Sequence, residues 1–171
     1  MAFDEKEVED AFRRYWQLGA VGEQWDEWCD TCFTEDVHYV EHILGTKEGR
    51  EAVRAWIKPT MSEYGEIYTA YEWHMVERSG RVVVYMQNRR DNPEAGAPPI
   101  DFPGITVLQY AGNGMFSLEE DFWSLTEATR ALKTYQQRCT EFDPDAPNKR
   151  TRNNWGNGPD WTKGAATYAE R

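Results

Sequence analysis

Between residues 67 and 123 the chain offers four stretches rich in β-formers, and the segments before them mostly carry helical spacing. The stretches are 67–76, 81–89, 104–110 and 115–123. Ser79-Gly80 makes a turn between the first two, and Asn113-Gly114 is a strong hairpin signal before the last. Asp91 to Pro103 is rich in Pro and Gly and reads as a longer loop. Upstream, Val8, Ala11, Phe12, Tyr15 and Trp16 fall on one helical face, with Asp4 as cap and Gly19 to Gly22 as stop. Trp25, Trp28, Cys29, Cys32 and Phe33 form a second such stripe. Val37 to Ile43 reads as a strand. Thr46 is placed to cap a third helix carrying Ala52, Val53, Trp56 and Ile57, which Pro59 ends or kinks. Ser124 to Glu127 is a capping box opening a last helix with Ala128, Ala131, Leu132 and Tyr135 on one face. The order α-α-β-α-β-β-β-β-α predicts an α+β fold with one curved antiparallel sheet wrapped around N-terminal helices.

A chain of 171 residues is about one domain's worth. We expect a single domain over 1–142 and an irregular tail over 143–171, because the tail gains Pro and Gly and loses aliphatics. Trp155 and Trp161 predict that the tail packs on the body or on a partner subunit. A net charge of −11 leaves no basic footprint for nucleic acid and gives no attraction to an anionic membrane. No apolar run approaches the roughly 20 residues of a membrane span, and the acidic start Met1-Ala2-Phe3-Asp4-Glu5 does not read as a secretory signal. Three cysteines, an odd number, argue against a disulfide framework and for a reducing, cytoplasmic setting. Cys29 and Cys32 read as core thiols on a helical stripe, not as a redox pair, and one pair is too few for structural zinc.

Several of these segments together resemble the SnoaL-like group of the nuclear-transport-factor-2-like superfamily. They are Trp25-Asp26-Glu27-Trp28, Phe33-Thr34-Glu35-Asp36-Val37, the Gly45 to Val53 turn with its Gly49-Arg50-Glu51-Ala52 core, and Gly114-Met115-Phe116. The resemblance covers about residues 5–140. It implies a cone-shaped sheet enclosing a deep apolar pocket, and catalysis by ionisable groups without a cofactor.

Glu41 shares a strand face with Val37 and Tyr39, where a carboxylate is costly to bury unless it is used or paired. The resemblance puts it where ketosteroid isomerases carry their general base; a strand-end salt bridge is the plainer role. Tyr15 falls, by the same resemblance, where those enzymes carry an oxyanion-hole tyrosine, and it also fits the core stripe of its helix. Thr106 occupies the slot of their second oxyanion acid, a departure from the isomerase pattern. Asp121 matches the acid/base aspartate of SnoaL-like cyclases and of limonene-type epoxide hydrolases. Glu119, Asp121 and Trp123 share one face of their strand, and so run of acids is either functional or an exposed edge.

His38-Tyr39-Val40-Glu41-His42 spells a zinc-protease string, but a strand turns Glu41 away from both histidines. His42 or His74 remains a proton shuttle at the pocket rim. Asn88 follows Val82, Val84 and Met86 on one face and is placed to bond a substrate oxygen. Arg89-Arg90-Asp91 reads as a charged strand end. Tyr39, Trp56, Met61, Tyr71, Trp73, Met86 and Trp123 are candidate pocket wall, suited to a flat aromatic or polycyclic ligand.

These readings lead to an expected cofactor-independent lyase on a hydroxylated aromatic or polycyclic molecule, by dehydration or retro-aldol-like cleavage. Lignin-derived diaryl diols are one such substrate class that the resemblance implies. Glu41 would take a proton and Asp121 or a histidine return it, while Tyr15 and Asn88 hold the oxyanion. An aldol cyclase, an isomerase and an epoxide hydrolase are the enzymatic alternatives, and a ligand-binding or adaptor domain the non-enzymatic one. A homodimer is expected, to cover the outer face of the sheet.

Overall fold

The computed structural model describes residues 2–149. Trp155 and Trp161 lie outside the described residues. Four helices accompany six strands: α1 (Glu5–Trp16), α2 (Trp25–Cys32), β1 (Phe33–Glu41), β2 (Gly45–Glu48), α3 (Arg50–Glu63), β3 (Ile67–Val76), β4 (Arg81–Arg90), β5 (Ile100–Gly112), β6 (Met115–Trp123) and α4 (Leu125–Phe142). The architecture is α+β, a curved and unclosed sheet.

Local chemistry explains most of the boundaries. Asp4 accepts from the Lys6 amide at 2.7 Å to start α1. Gly19 falls in a π turn, Gln17–Val21, that ends the first helical run. Ser124 accepts from the Glu127 amide at 3.3 Å to open α4. At α3 the expected cap fails. Its cap position is Gly49 at φ 84°, a left-handed backbone that suits glycine. Thr46 instead pairs with Val40 in β2, a short strand too polar to announce itself by hydrophobic alternation. Pro59 sits inside α3 without ending it, the helix running on to Glu63.

The strand order is β2-β1-β6-β5-β4-β3. All neighbours are antiparallel except β1 and β6, which run parallel. The sheet is therefore mixed, where an antiparallel one was expected. The intervening α3 and meander return β6 to β1 in the same direction, the long crossover a parallel pair requires. The inner face packs against α1, α2 and α3 through a core including Phe12, Trp16, Trp28, Phe33, Val37, Val53, Val84 and Phe116. Cys29 and Cys32 are buried in it as free thiols; burial pushes the Cys29 thiol up to about 12. A smaller cluster packs Ala131, Tyr135 and Cys139 of α4 on Ile100 and Phe102 of β5. Together the two clusters leave a cavity between them on the inner face.

Candidate functional site

The cavity measures ≈ 370 Å³, within the range of small-molecule sites. Its inner end is built by sheet register. Thr106 of β5 pairs with Asp121 of β6, and Leu108 with Glu119, so Glu119 and Asp121 point inward two residues apart. That is roughly 7 Å along the strand. A register shift beside Ser117 lets Phe116 fill the core while Glu119 still faces the cavity. Glu41 of β1 lies opposite Asp121 in the parallel pair. Three carboxyls, all lining the cavity, thus converge from two adjacent strands.

Each carboxyl has its own donors. Asp121 accepts from the Tyr39 hydroxyl at 2.7 Å and from the Thr106 hydroxyl. Glu119 accepts from the Tyr15 hydroxyl at 2.7 Å. Its second oxygen, Oε2, is buried with no hydrogen-bond partner among the described residues. Glu41 accepts from the Trp123 indole N–H at 2.6 Å and from the Leu44 amide at 2.7 Å, so both its oxygens are engaged.

Burial raises both members of the neighbouring pair. Removal from water, and then the adjacent Asp121 charge, hold the Glu119 carboxyl well above the usual carboxylate range. Burial lifts Asp121 to about 6, opposed by the hydroxyls of Thr106 and Tyr39. Tyr15 and Tyr39 are pushed up by burial and by these carboxyls, and stay protonated donors. The Tyr39 hydroxyl donates to Asp121 and so favours its ionised form. The result is two carboxyls raised above their usual range side by side in an apolar cavity, Asp121 to about 6.

Of the remaining expected residues, Trp56, Met61, Met86 and Asn88 line the cavity with Tyr39, Thr106 and Trp123. Tyr15 lines it too, and its hydroxyl donates to Glu119.

Four expected residues are not placed there. Trp73 is 48 % exposed and stacks on Tyr85 at 5.5 Å between ring centroids. The cause is a bulge at Glu72: Tyr71 pairs with Met86 but Trp73 with Tyr85, so strict alternation fails by one residue. Tyr71 packs edge-on against Trp16 and meets Nδ1 of His74 at 2.8 Å, behind the cavity wall. His74 is held on its other nitrogen by Glu9 of α1 at 2.6 Å. His42 pairs with Glu120 at 2.8 Å on the opposite sheet face, against Phe122. His38 likewise takes Glu48 at 2.8 Å, so the two histidines of the zinc-protease string face away from Glu41 with separate partners.

Sequence reasoning missed part of the wall. Trp25 and Trp28 line the cavity from α2, and Leu125, Ala128, Thr129 and Leu132 from α4. It also missed Arg90, which lines the cavity beyond Asn88. The signal was available: 82, 84, 86, 88 and 90 share one parity along β4. Arg89 takes the other face, wholly buried and paired with Asp101 at 2.9 Å, not a solvated strand end.

A sequence model of the SnoaL-like domain family matches residues 8–117. Comparison with curated protein sequences gives no match. Among solved structures, an epoxide hydrolase of the limonene-epoxide-hydrolase-like type from M. tuberculosis is 13% identical with a TM-score of 0.62, covering 80% of this chain and 97% of that one. A candidate SnoaL-like polyketide cyclase from Jannaschia sp. CCS1 is 21% identical with a TM-score of 0.59, covering 74% of this chain and 92% of that one. A hypothetical protein from Catenulispora acidiphila with a ketosteroid isomerase-like fold is 22% identical with a TM-score of 0.54, covering 67% and 85%. At these identities the likeness is one of fold.

Proposed function

The chain belongs to the SnoaL-like domain family, and on that basis we propose that it is an acid–base enzyme acting on a small, largely apolar molecule, with both proton-transfer groups supplied by its own side chains. The observation carrying this reading is the placement of Glu119 and Asp121 side by side on one strand face at the inner end of the cavity, each held by a buried hydroxyl, with burial raising both carboxyls. Two acids placed in this way supply a general acid and a general base at one pH.

The reaction class we assign is a lyase. Asp121 removes a proton from a substrate hydroxyl or from an activated carbon. Glu119 delivers its proton to the oxygen that departs as water or that develops charge as a C–C bond breaks. Asp121 then holds one proton more and Glu119 one fewer, and exchange with water after the product leaves restores both. Glu41, held by two N–H donors, takes a supporting place here rather than that of first base. The five tryptophans of the wall (Trp16, Trp25, Trp28, Trp56 and Trp123) favour an aromatic or polycyclic hydroxylated substrate, which a lignin-derived diaryl diol would satisfy. Epoxide opening is the second reading, because the same pair would activate water and protonate the epoxide oxygen. A homodimer in the cytoplasm completes the proposal.

The test is a panel of hydroxylated aromatic and polycyclic compounds followed by tryptophan fluorescence for binding and mass spectrometry for turnover. We expect turnover in the wild type, lost in Asp121→Asn and Glu119→Gln while binding survives. Binding without turnover, unchanged in both variants, would identify a ligand carrier instead.

A further inference from the structure

The end of the cavity away from the carboxyls holds a cation. Arg90 is the last residue of β4, on the cavity-facing parity of that strand, and its side chain is only 6% exposed. Its Nε donates to Glu66 at 3.1 Å, and its guanidinium carbon lies 5.6 Å from the centre of the Tyr135 ring. Those two contacts fix one edge and one face of the group. The two Nη nitrogens have no hydrogen-bond or ion-pair partner among the described residues, although the residue lines the cavity. The Nη edge is not sealed from water; it opens on the cavity, where a planar anion can replace the water that meets it.

The sheet register sets the distance. Arg90 pairs with Ile100, and Val84 with Thr106, the residue that bonds Asp121. Six residues of strand separate the two positions, about 20 Å of backbone. The Arg side chain shortens that gap, and Asn88 lies between the two ends on the same face. The cavity therefore has guanidinium donors at one end, their charge balanced by Glu66, and carboxyls at the other, with apolar and aromatic wall between.

We infer that the substrate is an aromatic carboxylic acid, its carboxylate gripped by the Nη edge of Arg90 and its reacting hydroxyl or carbonyl carried to Asp121 and Glu119. A planar carboxylate matches the two parallel N–H vectors of a guanidinium edge. The ionised Asp121 repels the same carboxylate, so one end-to-end orientation is selected. Glu66 and Tyr135 are positioning residues that aim the guanidinium. This assignment rests on the reading of the cavity as the enzyme's substrate site.

Binding alone tests it, without turnover. Biphenyl-4-carboxylate and its neutral isostere biphenyl-4-carboxamide are titrated into the full chain by tryptophan fluorescence, with wild type, Arg90→Met and Arg90→Lys. We expect the wild type to bind the acid at least tenfold tighter than the amide. Arg90→Met erases that preference by weakening the acid alone, and Arg90→Lys keeps part of it. Melting curves show whether each variant is folded, and the wild-type preference stands as a readout should Arg90→Met fail to fold. Equal binding of acid and amide by the wild type, no binding of the acid, or parallel weakening of both ligands in Arg90→Met would each overturn the inference. An acid preference that persists while Asp121→Asn changes no turnover would refute the enzymatic reading and leave the carboxylate site intact.

Discussion

Asp121 is where burial and hydrogen bonding compete most directly. Burial lifts its carboxyl from 3.8 to about 6, against the two hydroxyls that favour its charge. As a general base it must be ionised, so kcat/KM rises with pH to a plateau, with a midpoint near 6. It falls again at high pH as Glu119 gives up the proton it must donate, making the profile bell-shaped. An acid limb that stays unchanged in Asp121→Asn would remove it from that role. The same shift is a stability statement. Between 3.8 and about 6 the folded state binds more protons than the unfolded one, so this residue's contribution to stability falls as pH rises through that window. At about 1.4 kcal/mol per pH unit, the full cost above the window is about 3 kcal/mol. Asp121→Asn removes it. Urea unfolding of the variant against wild type shows a gain that is larger at pH 8 than at pH 5 by about 1 kcal/mol; an equal difference at both pH values would contradict the shift. Glu119→Gln behaves differently. The amide copies a neutral acid, keeps an acceptor for Tyr15, and abolishes proton donation, so activity falls by about 10²- to 10⁴-fold with little change in melting temperature. None of this division of labour was visible in the residue string. Glu41, Glu119 and Asp121 were legible as inward acids from alternation, but Glu119 and Asp121 are set by burial and by hydroxyls from Tyr15, Tyr39 and Thr106, which arrive from three other elements.

The β5–β6 hairpin shows what a turn contributes beyond reversing the chain. Asn113 and Gly114 adopt φ of 55° and 75°, as an Asn-Gly hairpin requires. The Gly114 carbonyl accepts from Arg14 of α1 at 2.6 Å, and the same nitrogen reaches the Thr31 carbonyl of α2 at 3.0 Å. A Cβ on Gly114 would collide with that guanidinium. Gly114→Ala displaces only the flexible end of Arg14, so its main cost is the left-handed backbone, about 1–2 kcal/mol. Urea denaturation should show a loss of at least that size, while Arg14→Ala, which removes only exposed hydrogen bonds, costs less. If Gly114→Ala proved neutral, the hairpin would not hold the left-handed backbone described. Element types in this chain followed periodicity well, because α1, α2 and α4 each bury one stripe. What periodicity could not supply was the bulges. One extra residue at Glu72 turned Trp73 from cavity wall to outer face, and the bulge beside Ser117 allowed Phe116 and Glu119 to share a face at odd spacing. Arg90 was the reverse case, readable by parity along an unbroken β4 yet obscured by its charged neighbours.

Across the sheet, register produces one more feature that no single strand contains. Trp73, Tyr85, Ile105 and Phe122 occupy successive partner positions on β3, β4, β5 and β6. They lie on the face opposite Thr106 and Asp121, since Ile105 and Phe122 are each one residue removed from the inward pair. Trp73 is 48% exposed, Ile105 37% and Phe122 41%. A row of large apolar side chains crossing four strands, three of them exposed, is a surface suited to contact with another chain. It carries no charge of its own, so two copies can meet through it although each bears a net −11. A second copy related by a two-fold axis is the occupant that fits, because an apolar row is self-complementary. The expected mass in solution is that of a dimer by light scattering coupled to size exclusion. Trp73→Glu with Ile105→Lys should halve it while the melting transition remains cooperative, since both side chains point away from the core. A wild type that elutes as a monomer would refute the expectation. A dimer untouched by the double variant would move the interface elsewhere, with edge strand β3 and its 53% exposed Met75 as the next surface to alter.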